Sequence, residues 1–289
     1  MCERTGETKR CKLCHGAITA YDSRGGVECG SCRSLYIENV PSNESLSAFY
    51  EHYNDKYTGG GTSGGRNQIS YARRYLQIVK KRTPGGTLLD MGCANNPFPN
   101  LAARMGYQVT AMDYSRPKDL DTAVRFQQGH LNSKELLDVD LKFDVVTSWA
   151  VIEHVADPDL AFKILAGLLD KGGQLHLTTP EYGTALTRAT AGKTRWFYPP
   201  EHLHLLSPAA MRILAERHGL LLAEWRHFET NRARWIARYG IGAAESLAGY
   251  AAKALNPDQW QKARETRIAR FIGIAYYRFV ANGTQRVRC

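Results

Sequence analysis

Four of the seven cysteines fall as Cys11-x-x-Cys14 and Cys29-x-x-Cys32, with fourteen residues between the pairs. Two such knuckles on tight turns place four thiolates tetrahedrally around Zn²⁺, and four thiolates leave no open position for water or substrate. The metal is therefore expected to be structural. About forty residues cannot bury a sufficient core alone, so the metal supplies the missing stability. A disulfide framework is the rival, and the cytosolic setting expected for this chain argues against it. A second group is Asp90, Gly92 and Asp113, an acid and a glycine on a turn with a further acid after the next apolar run. A carboxylate at the end of a parallel strand can accept both ribose hydroxyls of a nucleoside. The third group is His154, His202 and His204. Imidazoles near their ordinary pKa can take a proton from a bound substrate at neutral pH. Hydrogen bonding that merely fixes a loop is the competing role for each.

These residues need elements to hold them. Thr87-Leu88-Leu89 suits a buried parallel strand, and 101–105 a short helix that Gly106 ends. Residues 108–112 return as a second strand with Asp113 at its end. Further strands are expected at 124–127, 143–149, 174–179 and 220–228, with a helix over 159–169 between the fourth and fifth. Ser207-Pro208 opens another helix, Ser as the cap and Pro in the first turn. Upstream, Ile18, Tyr21 and Val27 suit a hairpin between the knuckles. Ser42 or Ser45 can cap a helix carrying Leu46, Phe49, Tyr50 and Tyr53. Residues 59–65 read as a flexible glycine loop, either a linker or a lid over the cleft. A helix at 68–82 puts Ile69, Ala72, Tyr75, Leu76 and Val79 on one stripe.

The run Asp90-Met91-Gly92-Cys93-Ala94-Asn95-Asn96 resembles the first motif of class I S-adenosylmethionine (SAM) methyltransferases, usually acid-x-Gly-x-Gly-x-Gly. Only the first glycine is kept, with Ala94 and Asn96 at the other two positions. The dehydrogenase pattern G-x-G-x-x-G is absent. Residues 143–180 are similar to the same family, down to the Glu153-His154 pair and the Lys171-Gly172-Gly173 turn. The knuckles, followed by Pro41 and an aromatic-rich helix, resemble zinc-ribbon segments that precede small-molecule and sugar methyltransferases. The likeness implies an α/β, Rossmann-like seven-stranded mixed sheet behind a small zinc-binding module. It implies SAM as cofactor, held by Asp90, Gly92, Ala94, Asn96, Asp113, Tyr114, Leu131 and Trp149. The family's usual Gly-Asp after the third strand is here Gly129-His130, so Leu131 and the local backbone are expected at the adenine. Trp149 has core packing as its alternative. Cys93 is expected to pack as a small apolar residue, and His15, beside Cys14, is a poor metal ligand.

Charge is concentrated at one end. Residues 188–289 hold 17 Lys/Arg and 7 Asp/Glu, which accounts for the whole-chain excess of +10. That suggests an acidic partner, such as a phosphorylated substrate, a lipid head group or nucleic acid. A solvated basic surface is the plain alternative. Ile268, Phe271, Ile272, Ala275, Tyr276 and Phe279 recur at helical spacing between arginines, reading as an amphipathic basic helix. It suits core packing, a lid, a dimer surface or a peripheral membrane contact, with a last strand at 284–288. No membrane-spanning run or apolar leader is visible, so a cytoplasmic protein is expected.

The expected organisation is a zinc ribbon at 1–40, a linker and cleft-covering helices at 41–84, the SAM-binding core at 85–230, and a basic helical extension at 231–289. The expected activity is methyl transfer to an oxygen, nitrogen or activated carbon of a small metabolite or biosynthetic intermediate, neutral or anionic. His202, His204 or His154 would remove its proton, His202 first because Pro199-Pro200 and Ser207-Pro208 brace its loop. One alternative is an rRNA or tRNA methyltransferase gripping phosphate through ribbon and tail. Against it, the ribbon lacks a dense basic cluster and no Asn-Pro-Pro-Tyr motif occurs. The other alternative is a non-catalytic SAM-fold binding protein.

Overall fold

The structure, a computed structural model, describes residues 10–21, 26–51, 62–180, 182, 197, 201–227 and 274–281. The hairpin forms between the knuckles: β1 (Ile18–Tyr21) pairs antiparallel with β2 (Gly26–Cys29), and β2 with β3 (Leu35–Ile37). Helix α1 (Asn43–Glu51) follows, its first turn capped by the Ser42 hydroxyl, which accepts the Ser45 N–H at 3.2 Å. Helix α2 runs Thr62–Arg82, so it begins inside the stretch read as a glycine loop. Residues 59–61, the remainder of that stretch, lie outside the described residues, as do 52–58 with Tyr53.

The core strands are β4 (Thr87–Met91), β5 (Gln108–Asp113), β6 (Arg125–Gln128), β7 (Phe143–Trp149) and β8 (Leu169–Pro180). Helix α3 (Phe98–Arg104) joins β4 to β5, and α4 (Pro158–Gly167), capped by the Asp157 carboxylate, joins β7 to β8. The short strand β9 (His204–Leu205) precedes α5 (Pro208–Arg217), β10 (Leu220–His227) and β11 (Ile274–Ala281). The large sheet has seven strands in the order β10-β11-β8-β7-β4-β5-β6. β4 to β8 are parallel neighbours, and β11 is antiparallel to both β8 and β10. This is the expected mixed sheet. The turn expected at 170–173 is absorbed into β8 as an irregularity, where the register against β7 shifts.

Strand alternation sorts the core onto two faces. Leu88, Val145 and Val109 pack with Ala72, Tyr75, Leu76 and Val79 of α2. Their neighbours Leu89 and Val146 pack with Phe162, Leu165 and Leu214 of α4 and α5. The ribbon joins that second face, since Cys11, Leu13, Val27 and Tyr36 belong to the same cluster.

The C-terminal reading needs correction. Residues 274–281 are a central strand, so the basic amphipathic helix does not extend through Ala275, Tyr276 and Phe279. The last strand expected at 284–288 falls outside the described residues. Short apolar runs fit both periods, and Ile274, Tyr276, Tyr277, Phe279 and Val280 are strand formers. Arg278 is engaged, its Nε 3.5 Å from Glu224 Oε2 on β10. Residues 228–273 and 282–289, with the rest of the basic tail, lie outside the described residues. No helix among the described residues is long and apolar enough to cross a membrane.

Candidate functional site

The four cysteine sulfurs come together within 4.8 Å of one another. Cys11 and Cys32 sulfurs are 3.8 Å apart, and those of Cys14 and Cys29 3.5 Å. A tetrahedral zinc with Zn–S bonds of about 2.3 Å needs sulfur separations of roughly 3.8 Å, far beyond a disulfide's ~2.05 Å. Backbone N–H groups of Leu13, Gly16 and Cys32 point at the Cys11, Cys14 and Cys29 sulfurs, as thiolates require. The donor set fits zinc. His15 is exposed, and it and Arg33, each just after a knuckle, take positive φ of 60° and 62° to close the turns.

A second site lies beyond the carboxyl ends of β4 to β7, where ligands sit in such sheets. Its walls come from the turn after β4 (Gly92, Ala94), the end of β5 (Asp113, Tyr114), the segment 129–132 after β6, and residues 150, 151, 154 and 155 after β7. Tyr50 of α1 closes the mouth. The cleft holds about 750 Å³ of empty space including its opening to solvent.

The Gly92 turn is shaped for close approach. Gly92 has φ +74°, and a Cβ there would lie 2.5 Å from a Val151 methyl carbon. Ala94 also takes positive φ, 42°, so the second of the motif's glycine positions keeps a glycine-like backbone without a glycine. Asp113 organises this turn. Its Oδ2 accepts the Ala94 N–H and its Oδ1 the Tyr114 N–H, both at 2.7 Å. A carboxylate offers about four lone-pair sites, so capacity remains for two ligand hydroxyls. Burial raises its pKa, and the two backbone donors oppose that. Asp90 lies beneath, 1 % exposed, its Oδ1 accepting the Thr147 hydroxyl at 2.6 Å. Burial pushes it up to about 7, and its Oδ2 has no partner among the described residues. An orphaned buried acceptor under a ligand turn is a place for a ligand donor or a bridging water.

On the far wall, His154 lies between two partners. Its Nδ1 is 2.7 Å from the Glu201 carbonyl oxygen and 2.9 Å from the Tyr50 hydroxyl. With the proton on Nδ1 donated to that carbonyl, the imidazole's lone pair is on Nε2. The His202 ring meets the His154 ring edge-on at 4.6 Å between centroids. Glu153 Oε1 lies 3.9 Å from His154 Nε2. Burial holds His154 down at about 3 and pushes Glu153 up to about 8.

The structure thus brings Gly92, Ala94, Asp113, Tyr114, Leu131 and His154 to one cleft, with Asp90 under it and His202 beside it. Three expected residues go elsewhere. Trp149 stacks on Tyr75, centroids 4.2 Å apart and planes 4° from parallel, in the α2-side core. Asn96 accepts the Phe98 N–H at the start of α3 and lines a separate hollow. His204 is fully buried in β9, its Nε2 2.8 Å from the Val155 carbonyl oxygen, so no substrate reaches it. Sequence reasoning passed over Tyr50, Asn132 and His130 as wall residues. The His130 ring stacks on Tyr114 at 4.2 Å, and Tyr50 lies on Tyr114's ring at 5.6 Å. Trp196 and 198–200 lie outside the described residues.

Residues 65–224 match a family model described as a methyltransferase domain. A ubiquinone biosynthesis O-methyltransferase from Xanthomonas campestris pv. campestris is 30% identical over 178 residues, covering 54% of this chain and 72% of that one. The fold resembles the Burkholderia thailandensis 1,6-didemethyltoxoflavin-N1-methyltransferase, solved with bound 1,6-didemethyltoxoflavin and S-adenosylhomocysteine, at TM-score 0.55 and 11% identity over 92% of this chain and 99% of that one. It also resembles magnesium protoporphyrin IX methyltransferase from Synechocystis PCC 6803 at TM-score 0.51 and 14% identity, over 82% and 99% of the two chains.

Proposed function

Because this chain belongs to the class I SAM-dependent methyltransferases, we propose that it methylates a hydroxyl of a small-molecule acceptor, with His154 removing the proton. Nitrogen and activated carbon remain the other acceptor atoms. The relative named above is an O-methyltransferase of ubiquinone biosynthesis, which favours an acidic, phenol-like hydroxyl, and the basic tail favours an anionic one. When bound, SAM supplies a methyl carbon made electrophilic by its sulfonium. The chain's part is to hold the nucleoside on Asp113 and the Gly92 turn, exclude water, align the acceptor and accept its proton. The observation that carries this reading is that His154 shares one cleft with Asp113. The four cysteines hold a structural zinc and take no part in the transfer.

The test is a screen of dihydroxybenzoates and of metabolite pools with isotopically labelled SAM, read by mass spectrometry. Acceptor-dependent label in a small molecule is the expected result. Label only in RNA would move the function to nucleic acid, and SAM binding without any transfer would leave a binding protein. Asp113→Ala should weaken SAM by about 1.5–3 kcal/mol, the range for hydrogen bonds to a charged group. Calorimetry returning wild-type affinity would place the ribose elsewhere.

One observation favours a second account of the proton. The donor atoms of Glu153, His154 and His202 lie within 4.8 Å of one another, so a divalent cation could lower the acceptor's pKa there instead. Turnover of desalted protein that depends on added Mg²⁺ or Mn²⁺, at unchanged zinc content, would select that account.

A further inference from the structure

The wall that carries His202 is fastened to the ribbon over very few residues. Glu201 offers its carbonyl oxygen to His154 and to the Tyr50 hydroxyl. Two residues on, the Leu203 N–H donates to the Glu153 carbonyl at 2.8 Å, and the Leu203 carbonyl accepts the Ile37 N–H at 3.0 Å. The chain then becomes β9, the fourth strand of the ribbon sheet, with Leu205 opposite Leu35 and His204 opposite Tyr36. Ser207 completes the link. Its hydroxyl donates to the carbonyl of Cys32, a metal-site residue, and its N–H donates to the Ser34 hydroxyl at 3.0 Å. Both serines are buried, so these bonds have no water to replace them.

Helix α1 is fastened to the same place. Leu46 packs with Leu35, Ile37, Leu203 and Leu205 in one buried cluster. Tyr50, four residues later and so on the same helical face, reaches His154 Nδ1. Acceptor-side groups therefore arrive at the cleft from two segments, and both rest on β3. The cofactor side is fixed differently, with Asp113 held by Ala94 and Tyr114 of the large sheet's own edge.

We infer that the cysteine module is a positioning element for the acceptor wall of the cleft, acting through Ser34, Ser207 and the β3–β9 pairing. This deepens the proposed methyl transfer and rests on it for the kinetic arm alone. Ser34 is a positioning residue that touches neither ligand. A ribbon used only to stabilise the fold would lower both functions together when loosened. A positioning ribbon lowers one and spares the other.

The experiment is Ser34→Ala in the full, zinc-loaded chain. Removing the hydroxyl leaves the buried Ser207 N–H unmet, which is worth about tenfold or more in an equilibrium. Amide exchange at 203–205 should speed up by about that factor, with Ala94 and Tyr114 unchanged, and the His154 imidazole signals should shift. Zinc content and S-adenosylhomocysteine affinity should stay at wild type. With dihydroxybenzoate as acceptor probe, kcat/KM should fall about tenfold. Faster exchange at 203–205 with unmoved His154 signals would overturn the inference, as would an equal loss of S-adenosylhomocysteine affinity. Should wild type transfer no methyl group, the proposed function fails, while the exchange and imidazole readings still decide the coupling. If Ser34→Ala does not fold, Leu205→Ala carries the same test, since it loosens β9 against β3 without touching the metal knuckles.

Discussion

His154→Ala should lower turnover about 10²–10⁴-fold, the usual worth of a positioned base, with SAM affinity near wild type. The pH dependence distinguishes this base from an ordinary histidine. Burial keeps the imidazole down at about 3, so it stays deprotonated across the neutral range and gives no acid limb near 6 to 7 (about one histidine's usual range). Burial pushes Glu153 up to about 8, so that carboxyl is uncharged below this value and gains charge as pH rises through it. Its Oε1 is 3.9 Å from His154 Nε2. A unit-charge pair near 4 Å is worth roughly 4 kcal/mol at an effective dielectric of about 20, or about three pKa units. Ionised Glu153 would bring the imidazole back toward its ordinary basicity. The rate, kcat/KM, should therefore rise as pH passes through about 8 in wild type and flatten in Glu153→Gln. Full turnover in His154→Ala, with a loss in His202→Ala instead, would transfer the role to His202.

The proposed base, His154, differs from His202, the residue the sequence favoured, and the reason is tertiary. The prolines around His202 braced its loop on paper, but nothing local announces that Tyr50 and the Glu201 carbonyl orient His154. Tyr50, His130 and Asn132 escaped for the same cause, since each meets the cleft from a separate segment. The clustering of the four cysteines and the place of Asp113 at the cleft were readable because they are set by local spacing and by the end of a strand. Trp149 was readable too, had strand parity been followed. Val145 faces α2, so the residue four further along that strand faces α2 as well, toward Tyr75 and away from the cleft. His204 could not be resolved this way, because its strand exists only by pairing with the ribbon some 170 residues upstream. The tail's misreading has another origin. Its apolar positions satisfy helical spacing, and only a place between β8 and β10 makes residues 274–281 a strand.

Loss of the ribbon metal should have the largest effect on stability. Protein purified without chelators should carry about one zinc per chain, the occupancy of a four-thiolate site. Cys32→Ser should lose it. Apparent zinc binding in small four-ligand domains is worth about 10–16 kcal/mol, while most single substitutions cost about 0.5–3 kcal/mol. Only part of that reaches the folded core here, but the part is not confined to the first forty or so residues. Cys32 offers its carbonyl to Ser207, whose hydroxyl also accepts the Ala210 N–H as the cap of α5. Arg217, at the other end of α5, donates to the Leu13 carbonyl between the first two cysteines. Both ends of one core helix are thus tied to the metal loops, and Leu13 packs in the same cluster as Met211 and Leu214. The melting midpoint of Cys32→Ser should fall by more than that of Cys93→Ala, a buried thiol outside the knuckles, and chelation of wild type should reproduce the fall. A chain that is zinc-free when carefully handled, or a Cys32→Ser variant melting with the wild type, would remove the metal from the account of this fold.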